Sequence, residues 1–155
     1  MGESVTLDQR VWITASGEET EKLGGQLLGK APAPGAPCRI VTLSGDLGAG
    51  KSTFARGALR ALGVTETIKS PSYTLLETYS LAAGTVVHLD LYRLKDPAEL
   101  EYLGLADYHR PGHLWLVEWP EHGGSRIPRA DLQFEFTIGP DGHRIERIEK
   151  FRPNK

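Results

Sequence analysis

The sequence predicts an α/β fold: a central, largely parallel sheet with helices on both faces and antiparallel strands at the C-terminal end. Short apolar runs of strand length alternate with segments of helical periodicity through the middle of the chain. A glycine-rich loop at 45–50 joins one of these strands to one of these helices. Near the C-terminus, alternating apolar residues precede a Gly139–Gly142 turn, which is typical of an antiparallel hairpin.

The N-terminal part predicts a strand, a helix and a second strand. Residues Arg10–Thr14 have strand character, and Ser16 with Glu19 three positions later forms a capping box that begins a helix. The apolar face of that helix is made of leucines: Leu23, Leu27 and Leu28. A rigid proline-rich connector at 31–37 then leads to Cys38–Ser44, an apolar segment that predicts a buried strand.

The middle of the chain predicts a helix followed by two strands. The helix runs from about Lys51 to Leu62, directly after the glycine-rich loop, and Gly63 ends it. Leu75–Leu81 predicts a strand. Thr85–Leu91 is richer in β-branched residues and predicts a second one.

The remaining elements are a helix, a buried strand and the terminal hairpin. Asp96 is an N-cap followed by proline at the first helical position, and Gly104 interrupts the helix that it begins. Leu114–Trp119 is a continuous apolar run of the kind that is buried on both faces of a sheet. Leu132–Ile138 alternates as a half-exposed strand does, and we expect residues 143–151 to pair back against it.

Composition fits one ordinary globular domain, and we expect it to span residues 1–155, with 1–9 as a flexible N-terminal segment. The apolar fraction is 39%, the charged fraction is 25% and the net charge is −2, so there is no electrostatic footprint for nucleic acid. A single cysteine, Cys38, excludes an intramolecular disulfide. The sequence shows no signal peptide and no membrane-spanning segment, which predicts a cytoplasmic protein without a membrane partner.

The glycine-rich segment predicts a P-loop NTPase-like domain. Residues Gly45–Ser52 match glycine, four residues, then Gly-Lys-Ser, a pattern whose backbone N–H groups converge on phosphate oxygens. The helix that follows directs its N-terminal dipole at the same anion. Lys51 is expected to reach the β- and γ-phosphates, and Ser52 to bind Mg²⁺. The expected nucleotide-binding residues are Gly45, Asp46, Leu47, Gly48, Ala49, Gly50, Lys51, Ser52 and Thr53.

The sequence favours ATP over GTP. Guanine-specific P-loop proteins read the base with an Asn-Lys-x-Asp segment. Asn154 is the only asparagine in the sequence, and it does not fit that segment. We therefore expect ATP with Mg²⁺ as the ligand.

Two acids end apolar strand-like runs and are candidates for the chemistry. VVHLD ends at Asp90 and LWLVE ends at Glu118, and the ligand crevice of an α/β sheet lies at the carboxyl ends of its strands. Either acid can bind the metal or position water, and either alone can equally be a solubilising end to a strand. We assign the catalytic roles to Lys51, Asp90 and Glu118.

Other polar positions near these acids have open interpretations. The segment Ser70–Leu75 is either a sensor of the γ-phosphate or a plain surface loop. His88 and Arg93 flank Asp90, and Arg93 either contacts phosphate or holds Asp90 in place. Trp119, beside Glu118, is interpreted as a core residue.

Four segments, taken in order, resemble the TsaE family: GDLGAGKST (45–53), SPSYTL (70–75), HLDLYRL (88–94) and VEWPE (117–121). The resemblance extends from about Ile13 to Phe151. It implies a small cytosolic ATPase needed for the threonylcarbamoyl modification of the adenosine next to the anticodon in certain tRNAs. It also implies TsaD and TsaB as partners, with TsaD performing the transfer and tRNA met indirectly through that complex.

The resemblance also implies roles for single residues. Lys51 and the loop amides would bind phosphates, and Ser52 and Glu118 would hold Mg²⁺. Asp90 would be needed for hydrolysis, and Arg144 would contact the nucleotide. The chain departs from the usual family pattern in two places. Ser52 stands where the family usually has threonine, and SPSY (70–73) stands where SPTF or SPTY is usual. In both places the serine retains the hydroxyl of the threonine.

Two other classes of function stay open on the sequence. A P-loop small-molecule kinase would need an arginine-bearing lid, and no arginine-rich insertion is present. A nucleotide-gated binding module would bind ATP with little hydrolysis.

Overall fold

The computed structural model describes residues 10–82 and 84–148. In chain order its strands and α-helices are β1 (Val11–Thr14), α1 (Gly17–Leu28), β2 (Arg39–Gly45), α2 (Lys51–Leu62), β3 (Leu76–Leu81), β4 (Gly84–Asp90), β5 (Leu114–Glu118), β6 (Leu132–Gly139) and β7 (Gly142–Ile148). Three 3₁₀ helices occupy Pro97–Leu103, Leu105–Tyr108 and Pro120–Arg126. The predicted flexible segment 1–9 and the hairpin residues beyond 148 lie outside the described residues.

The strands form one seven-stranded sheet within the described ranges, in the order β1-β7-β6-β2-β5-β4-β3. The centre is parallel, because β2 pairs in parallel with β5 and β6, and β4 pairs in parallel with β5. The β6–β7 hairpin and the β1–β7 pair are antiparallel, and so is the β3–β4 pair at the opposite edge. The predicted parallel centre with an antiparallel C-terminal end is confirmed, and β3 adds a second antiparallel edge.

Different structures cover the two faces of the sheet. Both α-helices pack on one face, where Leu23 of α1 and Phe54 of α2 join the same core as Leu116 of β5. On the other face, Trp115 packs with Leu100 and other residues of the 3₁₀ segments. The prediction of helices on both faces is confirmed with α-helices on one face and 3₁₀ helices on the other. No helix in the described ranges has the length and apolar character needed to cross a membrane.

Most predicted elements are present, with ends shifted by about one residue. The helix predicted after Asp96 is a 3₁₀ helix, and its capping box is formed: Asp96 accepts from the Ala98 N–H at 2.9 Å, and Glu99 accepts from the Asp96 N–H at 3.1 Å. Gly104 interrupts it in a left-handed conformation, with φ 66°. The 3₁₀ helices at 105–108 and 120–126 were not predicted, because such short turns show no apolar periodicity.

Two glycines allow α1 and α2 to pack closely. A Cβ at Gly24 would collide with the carbonyl of Phe54, and a Cβ at Gly57 would collide with the carbonyl of Glu21. The helix backbones therefore touch. This contact places the N-terminus of α1 beside the N-terminus of α2, where the candidate site lies.

We expect Gly57→Ala to destabilise the protein by about 1–3 kcal/mol, the usual cost of overpacking a tight interior contact. Helix propensity alone would stabilise the variant by about 1 kcal/mol, so a net loss reports the clash. Urea unfolding measures the change. Gly35→Ala is the control, since a Cβ there meets nothing within 4 Å, and its free energy of unfolding should stay within about 0.5 kcal/mol of the wild type. An equally stable Gly57→Ala protein would contradict the proposed close packing.

Candidate functional site

The glycine-rich loop connects β2 to α2, and glycine is required at both of its ends. Gly45 has φ 146°, and a Cβ there would collide with the carbonyl of Phe136 in the neighbouring strand. Gly50 precedes the first residue of α2 in a left-handed conformation, with φ 107°. The loop therefore directs backbone N–H groups and the positive end of α2 towards one point, as anion binding requires.

Lys51 is buried, and its ammonium is held by its own loop. The side-chain Nζ donates to the Gly45 carbonyl at 2.5 Å and to the Asp46 carbonyl at 2.8 Å, and it lies 4.6 Å from the centre of the Trp119 ring. Burial lowers the pKa of the Lys51 ammonium below its ordinary value, although the carboxylates of Glu118 and Asp90 oppose this. The two carbonyls are neutral acceptors, whereas a phosphate group in the loop would give the Lys51 ammonium a negatively charged partner.

Ser52 and Glu118 form an oxygen pair at the start of α2. The Ser52 hydroxyl donates to Glu118 Oε1 at 2.7 Å, because the β2–β5 register places Glu118 opposite Leu43, just before the loop. Glu118 is only 2% exposed. Hydroxyl and carboxylate oxygens are ligands that Mg²⁺ prefers, so the pair fits that ion. The described residues contain no group of three or more His, Cys, Asp or Glu side chains placed to hold a metal ion by themselves, so Mg²⁺ here would need phosphate and water as its remaining ligands.

Asp90 lies beside Glu118, since the two residues are register partners at the ends of β4 and β5. Its Oδ2 accepts from the Ser72 hydroxyl at 3.3 Å, and its Oδ1 accepts from the Tyr92 N–H at 3.1 Å. Burial raises the pKa of the Asp90 carboxyl above its ordinary value, and the Glu118 carboxylate raises it further. Such a carboxylate can orient a water molecule and accept its proton.

His88 also contacts Glu118, which sequence reasoning did not find. The His88 Nε2 lies 2.7 Å from Glu118 Oε2, and both side chains are buried. Strand alternation puts His88 and Asp90 on the same face of β4, and this was the available signal. The contact itself depends on the pairing of β4 with β5, which is not visible in the sequence.

One residue of the segment 70–75, Ser72, lines the cleft. Ser72 bonds to Asp90, while the Thr74 hydroxyl donates to Glu77 at 3.3 Å on the surface. Arg93 is not among the residues that line the cleft, and its contacts within the described residues are with Tyr73 and not with Asp90. Its guanidinium lies over the exposed ring of Tyr73, 4.4 Å from the ring centre.

The interpretation of Trp119 as a core residue is incomplete. Trp119 is half-buried in a left-handed conformation, with φ 56°, and its ring forms part of the wall of the site above Lys51. Tyr92 and His122 pack against it, with ring centres 4.9 and 5.3 Å away. The Trp119 ring, supported by these two neighbours, thus packs against the lysine amine.

Arg144, predicted to contact the nucleotide, faces away from the site. It donates to Glu146 at 3.0 Å on the exposed face of β7. The preceding residue, His143, lines the site instead, and its Nδ1–H donates to the Ala49 carbonyl at 2.8 Å. The terminal hairpin therefore supports the phosphate loop through a residue that the sequence analysis did not select.

These elements enclose a cleft of about 350 Å³, within the range of small-molecule sites. The lining residues come from α1, the glycine-rich loop, α2, the segment 70–75, the ends of β4 and β5 with the residues that follow them, and β7: Gly17, Thr20, Leu47, Gly48, Gly50, Lys51, Ser52, Thr53, Ser72, Asp90, Tyr92, Glu118, Trp119 and His143. Of the predicted site residues, four are not among the lining residues: Gly45, Asp46, Ala49 and Arg144. The first three belong to the loop backbone beneath the cleft.

Comparison with known proteins gives a consistent result. The family described as threonylcarbamoyl adenosine biosynthesis protein TsaE matches residues 14–146. A TsaE protein of Haemophilus influenzae is 45% identical over 109 residues, which cover 70% of this chain and 69% of that protein. A TsaE protein of Bacillus subtilis is 35% identical over 138 residues, which cover 89% and 84%. The crystal structure of Bacillus subtilis YdiB is similar with a TM-score of 0.67 at 30% identity, over 88% of this chain and 82% of that one.

Proposed function

This chain belongs to the TsaE family of tRNA threonylcarbamoyladenosine biosynthesis proteins, and from that membership we propose that it is an accessory ATPase. In this proposal it binds ATP with Mg²⁺, hydrolyses it slowly, and supports the formation of threonylcarbamoyladenosine next to the tRNA anticodon. Its proposed partners are TsaD and TsaB, and its proposed location is the cytoplasm. The net charge of −2 is consistent with partners that hold the tRNA.

The Ser52–Glu118 oxygen pair is the observation that carries the proposal. It lies at the N-terminus of α2, next to the phosphate loop, with Asp90 on the adjacent strand. A loop for phosphates, two oxygens for a divalent cation and a second buried acid are the parts that phosphoryl transfer to water requires.

Each residue has a separate task in this mechanism. The loop N–H groups and Lys51 bind the phosphates and hold them against the end of α2. Ser52 and Glu118 would hold Mg²⁺, which when bound would neutralise charge that develops on the transferred group. Asp90, fixed by Ser72 and the Tyr92 N–H, orients the attacking water and accepts its proton.

The direct test is whether the purified protein consumes ATP when no acceptor is present. Release of phosphate that depends on Mg²⁺ is the expected result. Binding of ATP without consumption would support a nucleotide-gated module. Consumption only after a small-molecule acceptor is added would support a kinase.

Asp90→Asn should lower the hydrolysis rate by about 100-fold, the usual contribution of a positioned general base, while ATP affinity changes by less than about threefold. Because the pKa of Asp90 is raised, the wild-type rate should fall as pH decreases through a value above that of an ordinary aspartate. The variant should lack this acidic limb, because asparagine does not titrate. Steady-state phosphate release, followed from neutral pH down to the pKa of an ordinary aspartate, measures both effects.

Asp141→Asn in the exposed β6–β7 turn is the matched control, and it should hydrolyse ATP at the wild-type rate. Hydrolysis by Asp90→Asn at that same rate would mean that the water-positioning role is assigned to the wrong residue.

A further inference from the structure

The buried imidazole of His88 contacts Glu118, the acid proposed to bind Mg²⁺. We propose that His88 is a positioning residue that fixes the Glu118 carboxylate for metal binding, an inference that rests on the proposed Mg²⁺–ATP function. His88 Nε2 lies 2.7 Å from Glu118 Oε2, and the Ser52 hydroxyl lies 2.7 Å from Glu118 Oε1. Each carboxylate oxygen therefore has its own partner.

The donor and acceptor roles in this contact follow from the chemistry of the two groups. A carboxylate oxygen only accepts, so the hydrogen of the bond belongs to His88 Nε2. The other ring nitrogen, Nδ1, is buried and has no hydrogen-bond partner among the described residues. The contact with Glu118 is thus the one hydrogen bond that the described residues give the ring.

Apolar core residues lie next to His88 along β4 and across on β5. Its neighbours on the same face are Val86 and Asp90 along β4 and Leu116, its register partner on β5, and Val86 and Leu116 belong to the apolar core. The Asp90 carboxylate accepts its hydrogen bonds from Ser72 and from the Tyr92 N–H, not from the imidazole. Burying an imidazole there with one nitrogen unpaired costs free energy that a leucine would not. The bond to Glu118 offsets that cost, so the polar contact explains the residue better than packing does.

The bond also has a clear consequence for the metal site. A glutamate side chain has three rotatable bonds, and leaving it free would cost conformational entropy each time the metal binds. With Oε2 held by His88, the carboxylate plane is set and Oε1 faces Ser52 before any ion arrives. Outer partners of metal ligands typically change metal affinity by about 10–100-fold when they are removed.

The test compares two substitutions by the Mg²⁺ dependence of nucleotide binding, measured by calorimetry with a non-hydrolysable ATP analogue. His88→Leu removes the donor and should raise the Mg²⁺ concentration for half-maximal effect by about 10–100-fold. His88→Gln places an amide N–H near the position of Nε2 and should stay within about threefold of the wild type. In EDTA, both variants should bind the analogue with wild-type affinity.

Two further measurements separate positioning from a purely structural role. In a Glu118→Gln background, His88→Leu should cause no additional loss of Mg²⁺ dependence, because the residue acts through that carboxylate. Nitrogen-15 NMR of the histidine rings should show hydrogen on Nε2 of His88 in the nucleotide-free protein. This signal does not depend on activity.

The outcomes are distinguishable. Wild-type Mg²⁺ dependence in His88→Leu, or equal losses in both variants together with lost affinity in EDTA, would overturn the positioning role. If His88→Leu does not fold, the His88→Gln variant and the NMR signal decide. The positioning role is overturned if His88→Gln raises the Mg²⁺ concentration for half-maximal effect tenfold or more. It is also overturned if the His88 ring carries its hydrogen on Nδ1 alone. A wild-type protein without any Mg²⁺-dependent binding would overturn the proposed function and this inference with it.

Discussion

Replacing Lys51 with alanine should lower ATP affinity by at least about 100-fold and bring it below detection in an ordinary calorimetric titration. Lys51 is 4% exposed, and two loop carbonyls accept the hydrogen bonds of its ammonium group. Hydrogen bonds of a buried charge contribute about 1.5–3 kcal/mol each, so two bonds to phosphate represent about 3 kcal/mol or more. That free energy corresponds to a factor of at least about 100 in affinity.

The same substitution tests whether the loop depends on its lysine for shape. Without the ammonium, the Gly45 and Asp46 carbonyls lose their donor, so a small decrease in melting temperature should accompany the loss of binding. Lys30→Ala, which changes an exposed lysine after α1, is the matched control and should bind ATP with wild-type affinity. Wild-type affinity in Lys51→Ala would remove the assignment of this cleft as the nucleotide site.

The phosphate loop and the parallel centre of the sheet could be predicted because their signals are local. A β-strand, a glycine pattern and a helix lie next to one another in sequence, and their spacing alone specifies their geometry. The ends of α2, Lys51 and Leu62, were predicted to the residue because Gly50 and Gly63 bound it on either side. The positions of Asp90 and Glu118 could also be predicted from local signals, since a polar residue at the end of an apolar run marks the edge of the sheet.

What could not be predicted depends on register between strands that are distant in sequence. In β7, adjacent residues face opposite sides of the sheet. An error of one position in the alignment therefore selects Arg144, which lies on the exposed face, instead of His143, which lines the cleft. The bond from His88 to Glu118 likewise requires the pairing of β4 with β5. Neither the left-handed conformation of Trp119 nor the antiparallel edge formed by β3 has a pattern in the sequence.

The cleft lacks the positive charge that rapid phosphoryl transfer needs. Among the described residues that line it, Lys51 is the only lysine or arginine. Arg93, the arginine closest to the acids in sequence, lies against Tyr73 on the surface rather than among the lining residues. P-loop enzymes with the same deficiency are completed by an arginine that a partner supplies, which raises the rate by about 10³–10⁵.

We therefore expect a TsaD–TsaB complex to raise the steady-state ATPase rate by at least about tenfold, a result that rests on the proposed partners. The isolated protein should hydrolyse ATP slowly, and Arg93→Ala should leave that slow rate within about threefold of the wild type, because Arg93 is not in the cleft. Phosphate release measured with the protein alone, with each partner and with both provides the comparison. Stimulation should require Mg²⁺ and should be absent in Asp90→Asn, because a partner's charge assists the transition state but does not replace the water-positioning acid. A high ATPase rate of the isolated protein that neither partner changes would show that its own residues complete the site. That result would contradict the partner-dependent mechanism.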